Sequence, residues 1–156
     1  MSKGIQGFYK VTETIKNTLL DDVNVNTVTH GDITDIDLSK QTIFPLSHLI
    51  VNSATQDERI LTFNLSVLAM DIVDTSKEEV TDLFVGNDNL HDVLNTQLAV
   101  LNRMLQKLRM SDLFRDKYQL EGAVTCEPFL DRFENNIAGW VATFDVVIEN
   151  DISLCS

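Results

Sequence analysis

RILTFNLSVLAMDIVD, residues 59–74, reads as a β-strand that changes character along its length. Leu61, Phe63, Leu65, Val67 and Ala69 fall on one face at a period of two. Thr62, Asn64 and Ser66 fall on the other, where Leu68, Met70 and Ile72 follow them. The first half is one-sided. The second half is apolar on both faces, as in a strand covered from both sides. About 15 residues at ~3.3 Å each would make a strand roughly 50 Å long, beyond the usual length. Part of it is expected to project beyond its own domain.

Upstream, Phe8, Val11, Ile15 and Leu19 recur at helical spacing and predict an amphipathic helix over 7–20, ended by Asp21 and Asp22. Residues 23–30 alternate weakly and favour a strand. Residues 31–42 have no clean period, yet Ile33, Ile36 and Leu38 interleave with Asp32, Asp35 and Asp37. This reads as a long loop, and such loops inside compact domains are usually functional. Phe44-Pro45 then opens a strand over 46–53, with a polar turn at 54–58.

Downstream, 76–89 reads as a charged linker. A second helix is predicted over 90–110. Asn89 is placed to cap it, Asp92 sits in its first turn, and Lys107 and Arg109 sit in its last. Leu94, Leu98, Leu101, Leu105 and Leu108 form its apolar stripe. A short helix or turn at 111–117 precedes strands at 118–127 and 140–150. Between them, 128–139 reads as a long hairpin connection carrying Phe129, Leu130, Phe133 and Ile137, more apolar than a simple solvent loop. Strands adjacent in sequence imply antiparallel pairing. The expected class is therefore α+β, a single domain over 1–156 with an antiparallel sheet, two main helices on one face, and long loops or hairpins for contacts between subunits.

A chain of 156 residues that is 44% hydrophobic and 23% charged can bury a sizeable core. Its formal net charge of −12 makes specific nucleic-acid binding unexpected, because phosphates are repelled on average. Cys126 and Cys155 have no metal-ligand spacing and read as free thiols of a reducing compartment. Neither a signal-peptide pattern nor an apolar run near 20 residues occurs in the sequence, so synthesis in a cytoplasm and no membrane partner are expected.

Residues suited to chemistry are scattered. His30, His48 and His91 share no metal-binding spacing, and the three aspartates of 32–37 lack the spacing of a calcium loop. The few glycines form no phosphate cradle. A Cys126–His48 nucleophile pair would make a thiol hydrolase, but no orienting group or oxyanion motif accompanies it. No catalytic, metal or cofactor residue is expected. Arg103, Lys107, Arg109, Arg115 and Lys117 either solvate a helix end or face the acidic 71–92 region of a neighbouring subunit.

Five stretches carry a family resemblance: the helix from Phe8, FPLSHLIV at 44–51, RILTFNLSVLAMDIVD at 59–74, NLHDVLNTQLAVLNRMLQKL at 89–108, and AGWVATFDVVIEND at 138–151. In element order and length the chain resembles the tail-terminator, tail-completion and neck-ring proteins of tailed bacteriophages. The resemblance implies a homo-oligomeric ring in the virion, at the head–tail junction or tail end. Such a ring binds other connector or tail-tube proteins and leaves a channel through which DNA passes without specific binding. A tail terminator, a neck adaptor and a ring of a short-tailed virion all fit this order. The candidate subunit interface comprises Ile33, Ile36, Leu38 and Phe44 of the long loop with Phe129, Leu130, Phe133 and Ile137 of the hairpin. The competing expectation is a small intracellular domain holding a ligand in a closed apolar pocket.

Overall fold

A computed structural model describes residues 3–33, 36, 41–74, 79–86, 88–111, 113–132 and 136–149. The elements run α1 (Lys3–Leu20), β1 (Thr27–His30), a 3-10 turn at Gln41–Ile43, β2 (Leu46–Asp57), β3 (Ile60–Ile72), α2 (Leu90–Arg109), α3 (Leu113–Asp116), β4 (Tyr118–Arg132) and β5 (Asn136–Glu149). The strands form one sheet in the order β1-β2-β3-β5-β4. The fold is α+β. Pairing is antiparallel except that β1 lies parallel to β2, which makes the sheet mixed.

That parallel pair explains the long loop. A parallel connection must carry the chain back along the strands, which takes roughly a dozen residues or more. Residues 31–45 supply that length. Their described apolar side chains, Ile33, Ile36, Ile43 and Phe44, pack with Leu46, Leu68, Met70, Ile72, Phe129 and Ile137. The other face carries the main core, where Leu65, Val67, Ala69, Phe144 and Val146 meet Val11 and Ile15 of α1 and Leu101, Met104 and Leu108 of α2. The two-sided apolar half of β3 is thus covered by helices on one face and by the crossover segment on the other.

β3 does not project alone. It pairs with β5 along its whole length, from Ile60↔Glu149 to Ile72↔Ile137. The polar turn expected at 54–58 is strand to Asp57, pairing Ala54↔Phe63 through Asp57↔Ile60, so that only Glu58 and Arg59 turn the chain. Both sides of β2 are exposed there, which removes the alternation that would have revealed it. The hairpin connection at 128–139 is likewise mostly ladder, paired Pro128↔Trp140 to Arg132↔Asn136. Pro128 is tolerated because β4 is an edge strand.

The strand expected over 23–30 begins only at Thr27. Before it, Asp22 accepts the N–H of Asn24 on its carboxylate at 3.0 Å and that of Val25 on its carbonyl at 3.1 Å, forming a turn. On α2 the buried positions are Val93, Gln97, Val100, Leu101, Met104, Leu105 and Leu108; of the leucine stripe, Leu101, Leu105 and Leu108 are buried, Leu94 packs half-buried against Val73 and Ala138, and Leu98 is exposed. Asn89 makes no side-chain cap. Its Oδ1 accepts the Asp74 N–H at 2.7 Å instead, tying the end of the β3 segment to the start of α2.

Candidate functional site

The two apolar segments proposed as interface patches meet inside one molecule. Ile33, Ile36 and Phe44 from the crossover, and Phe129 and Ile137 from the β4–β5 hairpin, share the outer-face cluster. Phe44 and Ile137 are buried there. Leu130, on the opposite face of β4, is 46% exposed. Leu38 and Phe133 lie outside the described residues. The outer cluster occupies only one end of its face. Further along, that face carries a polar ladder. Asn52 donates through Nδ2 to Asn64 Oδ1 at 2.9 Å and to Ser66 Oγ at 2.8 Å. Ser66 Oγ lies 2.9 Å from Thr143 Oγ1, and Asn64 Nδ2 donates to Asp145 at 2.8 Å. Asn52 reaches across because the β2 register shifts between Val51 and Ser53, a bulge that re-aims its side chain.

The sheet's two outer edges differ. β1 pairs β2 only from Leu46 to Leu49. Beyond it, among the described residues, no strand lies outside 53–57, a stretch that is exposed, free of proline and uncharged until Asp57. The β4 edge carries Pro128, Glu121 and Glu127, and it is interrupted by a register shift between Glu121 and Thr125 around Gly122, whose φ is +74°. Such devices blunt an edge against strand addition, and the far half of β2 has fewer of them.

Sequence reading passed over the β3–α2 connection as a charged linker. Its described part is a built turn. Asp82 Oδ1 accepts the N–H of Phe84 at 2.9 Å and of Val85 at 3.3 Å, and Gly86 N–H donates to the Asp82 carbonyl at 2.7 Å. Gly86 takes φ +73°, which a side chain would resist. The turn presents Leu83 at 91% exposure and Phe84 at 86%. The sequence signal was there in Asp82, Gly86 and the apolar triplet between them.

The basic residues divide. Arg103 forms a two-point pair with Asp22, Nε to Oδ2 at 2.7 Å and Nη2 to Oδ1 at 2.9 Å, joining α2 to the end of α1. The guanidinium holds the Asp22 carboxyl below its usual range, with burial opposing. Arg109 Nη2 donates to the Gly122 carbonyl at 2.8 Å. These two charges serve internal contacts.

The thiol–imidazole pair is not assembled. Cys126 packs against the helix-side core, and burial pushes its thiol up, away from the nucleophilic thiolate. His48 points to the other face, with β3 and β5 between it and Cys126, at roughly 14 Å by three strand spacings alone. It is fully buried, with Nε2 at 2.8 Å from the Gly31 carbonyl and Nδ1 at 2.7 Å from Thr29 Oγ1. A carbonyl only accepts, so Nε2 carries a proton and donates it to Gly31. Both ring nitrogens are thereby engaged in holding β1 and the start of the crossover to β2.

Surface grooves open at α1 with the β1–β2 flank (about 390 Å³), at α2 with β4 (about 410 Å³), and around Asp22 and Arg103 (about 510 Å³). No cluster of three or more metal-ligating side chains occurs among the described residues. No described helix is long and apolar enough to cross a membrane. No protein-family model matches the chain, and no curated protein matches it in sequence.

Proposed function

We propose that this chain is a structural component of a tailed-bacteriophage virion, assembling as a homo-oligomeric ring at the head–tail junction or tail end. The single observation carrying the assembly reading is the far half of β2. It is an extended strand edge, uncharged until Asp57, with no neighbour among the described residues, on a protein whose other edge carries Glu121, Glu127 and Pro128. Backbone N–H and C=O groups along such an edge are a template for another chain. The sequence resemblance supplies the virion context, with connector or tail-tube proteins as the other partners. A net charge of −12 suits a channel through which DNA slides, because few phosphate contacts form.

Light scattering followed by negative-stain imaging tests this reading. Annuli are expected, either from the purified protein or on addition of tail tubes or portals. A protein that stays monomeric and ignores both partners ends the proposal.

A further inference from the structure

We infer that residues 150–156 of one copy add as a strand to the open edge of β2, residues 53–57, in the next copy. This rests on the ring reading and deepens it by naming the subunit contact.

The donor is read from the end of β5. Along that strand Trp140, Ala142, Phe144, Val146 and Ile148 alternate toward the helix-side core. The same parity brings apolar residues again at Ile152 and Leu154, with Asp151, Ser153 and Cys155 at the positions between. The strand pattern therefore outruns the strand's partners. On one side the ladder reaches its limit at Ile60↔Glu149, because Glu58 and Arg59 turn the chain there. On the other it begins at Tyr118↔Ile148, directly after α3. Residues 150–156 lie outside the described residues, and neither neighbouring strand continues past Glu149. Backbone groups of a strand-type sequence need a ladder, and here it must come from elsewhere.

The acceptor lies at the same end of the sheet. Asp57, Ile60 and Glu149 are aligned across β2, β3 and β5. β1 covers β2 only from Leu46 to Leu49, and Val51 through Asp57 are exposed. On its helix side this edge has an apolar shelf. Ala54 pairs with Phe63, whose ring meets that of Phe8 edge-to-face with centroids 5.3 Å apart. Tyr9 and Val51 line the adjoining groove and are exposed. An added strand brings its backbone groups to the edge and sets alternate side chains, Ile152 and Leu154, on that shelf. Cys155 then faces the opposite side, which carries Ser53 and Thr55 opposite Asn64 and Thr62.

One molecule is poorly built to make this contact with itself. β5 and β2 both run antiparallel to β3, so they leave the sheet in the same direction. The open track beside β2 is three strand spacings from β5, roughly 14 Å. Reversal and crossing consume roughly four residues at ~3.3 Å each, which leaves too few of 150–156 to line 53–57. Donor and acceptor are different patches, so their contact between copies is heterologous and builds a ring or a filament.

Disulfide trapping with the native Cys155 tests the contact. Cys126→Ser supplies the donor chain. Ser53→Cys or Thr55→Cys, each in a Cys126→Ser/Cys155→Ser background, supplies the acceptor. The two are mixed under oxidising conditions and read on a non-reducing gel. A band joining donor to acceptor, at least about tenfold stronger than the two-chain band of either variant alone, is expected. Thr125→Cys on the β4 edge, in the same background, is the control, and preferential trapping there overturns the inference. Thr55→Cys/Cys126→Ser in a single chain checks the other occupant. A monomer closed by an internal disulfide shows the segment on its own β2 and overturns the inference. In parallel, Ile152→Asp/Leu154→Asp is compared with wild type by sedimentation and thermal melting. Loss of oligomers at unchanged Tm supports the contact. Annuli that persist in that double variant, without trapping at 53 or 55, overturn the strand-addition inference and leave the ring reading standing. A wild-type protein that is monomeric, untrapped and indifferent to tail tubes and portals removes both.

Discussion

On one face of the sheet, Leu65, Val67 and Ala69 meet two long helices; on the other, Leu46, Met70 and Ile137 meet only the crossover segment and the β4–β5 hairpin. The helix face is covered along most of β3. The outer face is covered at one end and then gives way to the Asn52–Asn64–Ser66–Thr143–Asp145 ladder. The difference shows how one strand specifies two environments. Where Leu68, Met70 and Ile72 alternate with helix-facing residues, the chain must supply a second cover, and it does so with the connection a parallel β1–β2 pair already requires. Where Asn64 and Ser66 take those positions, no cover is needed, because the polar groups satisfy each other and solvent.

The most damaging change strikes the strand pairing both faces depend on. A Cβ at Gly139 would lie 1.9 Å from the Ala69 carbonyl oxygen and 2.8 Å from Met70 Cα, both backbone atoms. Neither can yield without parting β3 from β5. Gly139→Ala is expected to lose roughly 5 kcal/mol or more, about the whole stability of a small domain. A cooperative wild-type-like melt in that variant would show that the close approach is not maintained.

Truncations weigh the two faces directly. Leu101 on the helix side and Met70 on the outer side are both almost fully buried. If the crossover makes a true second core, Leu101→Ala and Met70→Ala each cost about 2–5 kcal/mol in urea titrations, with the helix side at the upper end. A Met70→Ala cost below about 1 kcal/mol would reduce the outer cover to a loose flap.

The covered half of this comparison was legible in the sequence. Period-two apolarity on 61–69 and the added apolar residues at 68, 70 and 72 implied two covers, and the helices supplied one. The crossover was visible as an overlong loop, but its apolar residues invited a reading as interface because their partners lie far off in sequence. Phe44 and Ile137 come together only after β2, β3 and β5 are aligned. The parallel β1 escaped notice for the same reason, since adjacency in sequence favours antiparallel pairing. The Leu83–Phe84 turn was missed because six acidic residues between 74 and 92 dominate that region's composition. Exposure of an apolar pair depends on what fails to pack against it, which no local pattern encodes.

Among the helix-side residues, Gln97 breaks the apolar rule. It is 1% exposed, and neither its amide nitrogen nor its oxygen has a hydrogen-bond partner among the described residues; Ser47 Oγ is in the same position. A buried amide without partners is costly, whereas an apolar side chain of similar shape is not. Gln97→Met is expected to add about 1–2 kcal/mol to stability, seen as a rise in Tm. A loss of stability would mean the amide is satisfied in solution.

The smallest expected effect separates two aspartates by sign. Asp22, gripped by Arg103, has its folded pKa lowered, so its contribution is fully present above the unfolded value, roughly 3.9, and is lost as pH falls through the folded value. Asp71 is pushed the other way, chiefly by burial and further by the nearby Asp74 carboxylate, against the hydrogen bond its Oδ1 accepts from the Ile72 N–H. Its folded state holds the proton more tightly than the unfolded chain. Stability is therefore withdrawn as pH rises from the unfolded value through the raised one. Asp71→Asn keeps an acceptor for Ile72 and removes that loss. It is expected to stabilise at pH 7 and to match wild type at pH 3, whereas Asp22→Asn weakens the protein at pH 7 by under about 1 kcal/mol, because Arg103 is half-exposed and its charge is screened. Urea titrations at both pH values read the two signs separately. An Asp71→Asn gain that persists undiminished at pH 3 would place its origin in packing and not in the proton.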